Sequence, residues 1–252
     1  MIYTFDTKRA QLRDGFYQTG SGPRCVLIVG SCRTMAFLNY LAAWNEISGN
    51  GFTIRYINPF DWHWNAADEL VDLEKAIDAL EINSGILGVI GDTEIFIHEH
   101  YGNYGMFNTS RDAAKNIYQF GMNANTDIGI PNFHDHFILY NDFAAFGEVP
   151  EDWKERGLAA VDKFCDLCAK TSFPEMAEYF RNNWQNMRLF WTPNHTSGAF
   201  TLYLFRRMNE VFLHLPLDND FWQRIGGDDM FRDPHTPVHQ KDIETYKLTW
   251  NH

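Results

Sequence analysis

The stretch Cys25-Val26-Leu27-Ile28-Val29-Gly30-Ser31-Cys32-Arg33-Thr34 decides how the rest of the chain is read. An apolar run stops at a glycine. A serine, a cysteine and an arginine follow at once, and a second apolar pattern then begins at Met35. A short continuous run rich in Val and Ile and closed by Gly reads as a buried strand over residues 25–30. RTMAFLNYLAAWNEI (33–47) has apolar residues at helical spacing and stops at Ser48-Gly49-Asn50-Gly51, a helix-ending signal. FTIRYIN (52–58) then alternates like a strand.

Outward from this core the alternation continues. AADELVDLEKAIDALEI (66–82) reads as an acidic amphipathic helix. SGILGVIGDTEIFIHEH (84–100) holds more strand, clearest in TEIFIHEH, and DIGIPNF (127–133) is a short strand leading into a proline turn. Strands alternating with helices predict an α/β fold with a mostly parallel sheet. The second half reads as more helical, with candidate helices at 151–172, 173–191 and 198–215 and a loop-like tail at 226–242. No linker interrupts the chain, so a single α/β domain over residues 1–252 with a helical C-terminal portion is expected.

Composition sets the outer bounds. At 252 residues and 45% hydrophobic content the chain can bury a sizeable core. A formal net charge of -12 repels phosphate backbones and anionic lipid, so nucleic acid is not an expected partner. An apolar run of membrane-spanning length is missing, and residues 1–15 have no apolar signal-peptide core. The expectation is a cytoplasmic protein with no membrane span. Four cysteines, Cys25, Cys32, Cys165 and Cys168, do not make a disulfide scaffold in a chain of this size.

In open parallel sheets, ligands bind beyond the carboxyl ends of the strands, which is where the Gly30–Arg33 corner falls. Gly30 permits a tight turn. The helix that follows has unpaired N–H groups and a partial positive charge at its start. Such a terminus stabilises a thiolate and can serve as an oxyanion hole or anion site. Cys32 is therefore the candidate nucleophile, with Gly30, Ser31 and Arg33 as candidate oxyanion or anion-binding residues. The plainer alternative is a corner shaped for geometry alone, with Ser31 as helix N-cap and Cys32 as packing. The candidate base is His195 in LFWTPNHTSGAF (189–200), after a short apolar strand and before a helix that Asn194 or Thr196 is placed to cap. Its plainer alternative is a capping or core-edge histidine.

Together, IVGSCRTMAFLNYL and TPNHTSGAFTLYLF, with GDTEIFIHEH and IPNFHDHF as later strands, resemble the WcbI-type family of polysaccharide-biosynthesis acyltransferases, itself related to SGNH hydrolases. The resemblance implies an SGNH-like three-layer α/β/α core. It also implies coenzyme A as acyl donor, a carbohydrate hydroxyl as acceptor, the position of Cys32 as nucleophile and a late histidine as base. The chain departs from the family pattern at Ser31, Arg33 and Thr196, where Asn, Gln and Pro are usual.

Two His-acid-His triplets stand apart, at 98–100 and 134–136. On a strand, His98 and His100 share a face with Glu99 opposite, and His134 and His136 likewise flank Asp135. Four imidazoles at neighbouring strand ends are a possible metal set, the basis of a rival reading as a metal-dependent hydrolase. The favoured expectation is no bound metal. Instead His98, His100, His134, His136, Asn194 and Asp92, at the pocket rim, bind substrate or orient His195. The Cys165–Cys168 pair has redox spacing but lies in a helical pattern, which favours core packing. NPFDWHWN (58–65) reads as an aromatic plug at a helix entry, the alternative being a platform that stacks on a sugar or an adenine ring. No nucleotide-binding glycine motif is found in YGNYGMFNTS (101–110). The leading expectation is thus an acyltransferase acting on a small-molecule or carbohydrate substrate. An SGNH-like esterase with the same residues, the metal-dependent hydrolase and a non-catalytic sugar-binding protein are the rivals.

Overall fold

The computed structural model describes residues 16–30, 34–57, 92–100, 124–131, 151–192, 195–226, 238 and 240–250. Where the sequence suggested one domain, the chain groups into two compact units. One comprises Met1–Gly129 with Leu215–Gly226; the other comprises Ile130–His214 with Gly227–His252.

The first unit is built on a sheet of β1 (Phe16–Thr19), β2 (Arg24–Val29), β3 (Phe52–Ile57), β4 (Ile95–His100) and β5 (Thr126–Pro131). Its spatial order is β1-β3-β2-β4-β5. β2 runs parallel to β3 on one side and to β4 on the other, while β1 pairs antiparallel with the outer edge of β3. The fold is therefore mixed α/β with a mostly parallel five-stranded sheet. Val26, Leu27, Ile28 and Val29 have no exposed surface. A central parallel strand is covered on both faces, which explains a run that is apolar without alternation. Burying each such side chain contributes on the order of 2 kcal/mol.

Helix α1 (Met35–Ser48) connects β2 to β3 and packs against β3 and against α5 (Asn219–Ile225). Its end follows the sequence signal. Gly49 takes the left-handed conformation at φ 85°, and its N–H donates to Asn45 O. The buried Asn45 amide then starts the next strand, donating to Phe52 O and accepting from Phe52 N, both at 2.8 Å. The expected strands at 25–30, 52–58, 93–100 and 127–133 correspond to β2 to β5 within a few residues; the helix expected at 66–82 lies outside the described residues. β1, α5 and α6 (Gln240–Tyr246) were not expected.

The second unit contains α2 (Trp153–Cys168), α3 (Met176–Asn183), the hairpin strands β6 (Phe190–Thr192) and β7 (His195–Thr196), α4 (Gly198–Met208) and α6. The helix expected over 173–191 is shorter than its pattern: α3 ends at Asn183, and Phe190 enters the hairpin opposite Thr196. The helix expected over 198–215 narrows to α4, which continues as a π-helical turn over Asn209–Leu213. Phe164 packs on Phe180, Phe190 and Phe200, with ring centroids 4.4, 5.6 and 6.0 Å away. Aromatic rings at such offsets and tilts bury large area with a favourable quadrupole arrangement.

Gly157, inside α2, tests the packing of this unit. Alanine in a helix interior normally outranks glycine by about 1 kcal/mol. Here an added Cβ would lie 2.1 Å from Tyr246 Oη and 2.4 Å from its Cζ. The Tyr246 hydroxyl is itself fixed, because it donates to Trp153 O. Overpacking of this kind costs about 1–3 kcal/mol and outweighs the propensity gain. Gly157→Ala is expected to lower the melting temperature by several degrees; a variant that melts at or above the parent contradicts this packing.

Candidate functional site at the carboxyl ends of β2 and β4

Setting aside the antiparallel β1, the order β3-β2-β4-β5 places the second strand, first, third and fourth side by side. From β2 the chain moves to one side through α1 and β3, and then returns past β2 to form β4. The strand order reverses between β2 and β4, and in open α/β sheets the crevice outside such a reversal is the usual ligand site. Gly30, the first residue after β2, stands at this place and is buried.

Three elements close around Gly30. An added Cβ would lie 2.5 Å from Thr34 Cγ2, 2.8 Å from Thr34 Oγ1 and 3.1 Å from Glu99 Cγ. From β3, the Tyr56 hydroxyl donates to Gly30 O at 3.2 Å. A side chain here would collide with these neighbours, so glycine is required by close approach. Thr34 stands at the N-cap of α1, makes no side-chain cap hydrogen bond and is fully buried.

The parallel register pairs Val29 with His98. Alternation along each strand then puts Glu99 on the face of Gly30 and His98 on the opposite face. This matches the expectation that Glu99 points away from His98. Glu99 has 0% exposure. His98 is 7% exposed, and its ring stacks on Phe96 with centroids 4.9 Å apart. His98 Nε2 lies 2.8 Å from Asp127 Oδ1 on β5, and a carboxylate can only accept in such a contact. The Asp127 side chain is 65% exposed, so this pair links a buried imidazole to a solvated carboxylate. Sequence reasoning singled out His98 for substrate binding and missed Asp127, because no spacing relates residues 29 positions apart on adjacent strands.

Asp92 does not join this site. It is exposed and stands three residues before Ile95, beyond the amino end of β4. Since β4 is parallel to β2, Asp92 and Gly30 lie at opposite ends of the sheet. The expectation that it lines the rim is corrected by strand direction.

In the second unit, His195 opens β7, half-buried and opposite Thr192. It precedes α4, as the sequence implied. The cap of α4 is neither Asn194 nor Thr196: Ser197 Oγ accepts from Phe200 N, while Thr196 Oγ1 is bonded to Thr201 Oγ1 at 2.8 Å. Ser197 N donates to Leu189 O at 2.8 Å, which ties the start of the helix back to the hairpin.

Ser31, Cys32, Arg33, His134, His136 and Asn194 lie outside the described residues, as does the side chain of His100. The same holds for residues 58–65 and 101–110. Among the described residues, no group of three or more His, Cys, Asp or Glu side chains is arranged to hold a metal ion. No described helix is long and apolar enough to cross a membrane. No protein-family model matches the chain, and no curated protein matches it.

Cys165 and Cys168 are buried in α2, in keeping with the packing reading of this pair. Burial raises both thiol pKa values, that of Cys168 far above the ordinary range; at Cys165 the nearby Arg181 acts in the opposite direction. A raised thiol pKa stabilises the fold below the unfolded value near 9.0, and that contribution is lost as pH rises beyond it. Melting temperature is therefore expected to hold steady from neutral pH to about 9 and to fall above it. Burial raises the Tyr246 pKa as well, which adds to the fall at still higher pH. Cys168→Ala should fall less steeply across pH 9–11, and an identical slope in parent and variant contradicts this assignment.

Proposed function

We propose that the chain is an acyltransferase on an SGNH-like α/β core, moving an acetyl group from coenzyme A to a carbohydrate hydroxyl. One observation carries the reading: the strand whose exit bears the Ser31-Cys32-Arg33 sequence is the strand at the order reversal of the sheet. A nucleophile placed after such a strand is where open α/β sheets expose reactive groups.

In this reading the Cys32 thiolate adds to the thioester carbonyl of the donor. The carbon–sulfur bond to coenzyme A breaks, the departing coenzyme A thiolate takes up the proton that His195 removed from Cys32, and the acyl group remains on Cys32 as a thioester. The acceptor hydroxyl then attacks this intermediate and gives up its proton to His195, and Cys32 is released. Backbone N–H groups of residues 31–33 stabilise the oxyanion in both steps. Arg33, with its planar donor fork, holds an anionic part of donor or acceptor. Gly30 gives the corner its close fit. His98 is assigned to substrate binding at the carboxyl end of β4, with Asp127 as the carboxylate that orients its ring.

The test is release of coenzyme A thiol from acetyl-coenzyme A, with and without monosaccharide acceptors. Cys32→Ala is expected to lower turnover by about a thousandfold or more and His195→Ala by about 10²–10⁴-fold, at unchanged melting temperature. Acetyl-coenzyme A should raise the melting temperature of the parent. Full turnover in Cys32→Ala, or no thermal shift with the donor, sinks the proposal.

A further inference from the structure

Two tyrosines of the second unit stand in a geometry that ring packing alone does not favour. Tyr179 on α3 and Tyr203 on α4 lie face to face, with ring centroids 3.6 Å apart and planes 9° from parallel. Aromatic faces carry like partial charge, so ring pairs ordinarily settle edge-to-face or offset. Neighbouring pairs follow that rule: Phe164 meets Phe180 at 53° and Phe190 at 88°. At 3.6 Å the tyrosine rings are almost coaxial, because flat rings touch at nearly that spacing. The carbons beside the two hydroxyls are then in van der Waals contact, whichever way the hydroxyls point. In a phenoxyl radical those carbons carry unpaired electron density, in π lobes directed along the stacking axis. Both rings are half-buried and keep some exposed surface. Burial raises both phenol pKa values, so each phenol is protonated at neutral pH and its proton leaves with the electron. Glu175, Glu178 and Glu210 act on Tyr203 from close by and can take up that proton.

We propose that Tyr179 and Tyr203 form an oxidative modification site, at which a one-electron oxidant joins α3 to α4 through a dityrosine bond. The oxidant is of the class that generates phenoxyl radicals, such as a ferryl haem or a photo-oxidised metal complex. Each ring gives one electron to the oxidant and one proton to a carboxylate or water. The two radicals pair their electrons in one carbon–carbon bond, ortho to both oxygens. The hydrogen on each coupled carbon then leaves as a proton while a proton returns to each oxygen, which restores both phenols. Two equivalents of oxidant are reduced, and the chain loses two hydrogen atoms. In sequence α3 precedes the β6–β7 hairpin and α4 follows it, so the bond ties together the two flanks of the hairpin that carries His195. The inference stands apart from the acyl-transfer reading and does not require it.

The experiment oxidises the full chain, at low concentration, with photoexcited tris(bipyridyl)ruthenium and persulfate. The chain has 11 tyrosines, so the linkage is assigned by peptide mass spectrometry of the monomer and not by dityrosine fluorescence alone. The expected product is a peptide pair joined between Tyr179 and Tyr203, two hydrogens below the summed mass, at a yield independent of protein concentration. Tyr179→Phe and Tyr203→Phe each keep an aromatic ring in place and should each lose this product. The parent chain decides the question by itself if either variant fails to fold. Absence of the Tyr179–Tyr203 linkage, under conditions that convert free tyrosine to dityrosine, overturns the proposal. Coupling of these residues only to other tyrosines, or only between molecules, does the same.

Discussion

The first unit depends on one constraint: β2 is hydrogen-bonded on both edges and covered on both faces. Its inner residues Val26–Val29 have no solvent-facing side and no free edge, so they must be apolar, and the strand's exit must leave the sheet at once. Gly30 marks the exit. Tyr56 from β3, Glu99 from β4 and Thr34 from the start of α1 all close on it, and the fit leaves no room for a Cβ. The same packing that fixes the central strand thus fixes where the following corner starts.

What was legible in the sequence follows from how local its cause is. The unbroken apolar run of β2, the helical period of α1 and the Gly49 stop are consequences of burial and backbone conformation within a few residues, and each appears close to where the pattern placed it. β1 was not legible, because four residues pairing antiparallel on an outer edge leave almost no period to read. The helix pattern from 173 onward misled for the opposite reason. Its apolar residues belong to two different structures. Met176 and Phe180 face the core from α3, whereas Leu189 and Phe190 reach the same core from the hairpin. A period continues across the break while the backbone does not, and Asn183, whose amide donates to Tyr179 O, marks the end.

The local settings of the candidate residues divide along the same line. The strand exit at Gly30 and the helix entry at His195, each in its own unit, were legible because both are local events. Their supports were not. The His195 hairpin is held by long-range packing: Phe190 is pinned among Phe164, Phe180 and Phe200, and Ser197 N reaches back to Leu189 O. Asp127 and Tyr56 reach His98 and Gly30 from other strands. A single sequence carries residue types in order, and it carries no register between strands whose connection it cannot measure.

Two consecutive ionisable residues of β4 meet the same difficulty in different ways. His98 is buried but turns its ring toward Asp127, whose exposed carboxylate remains in water, so the pair shares the burden with solvent. Glu99 is turned the other way, into the face that carries Gly30 and Thr34, with no exposed surface of its own. Sequences that specify a fold break such local rules mainly where a site requires it. The break here occurs on the strand beside β2, level with its last residues and at the reversal of strand order. A buried acid at this level of β4 therefore lies at the same end of the sheet that the topology marks.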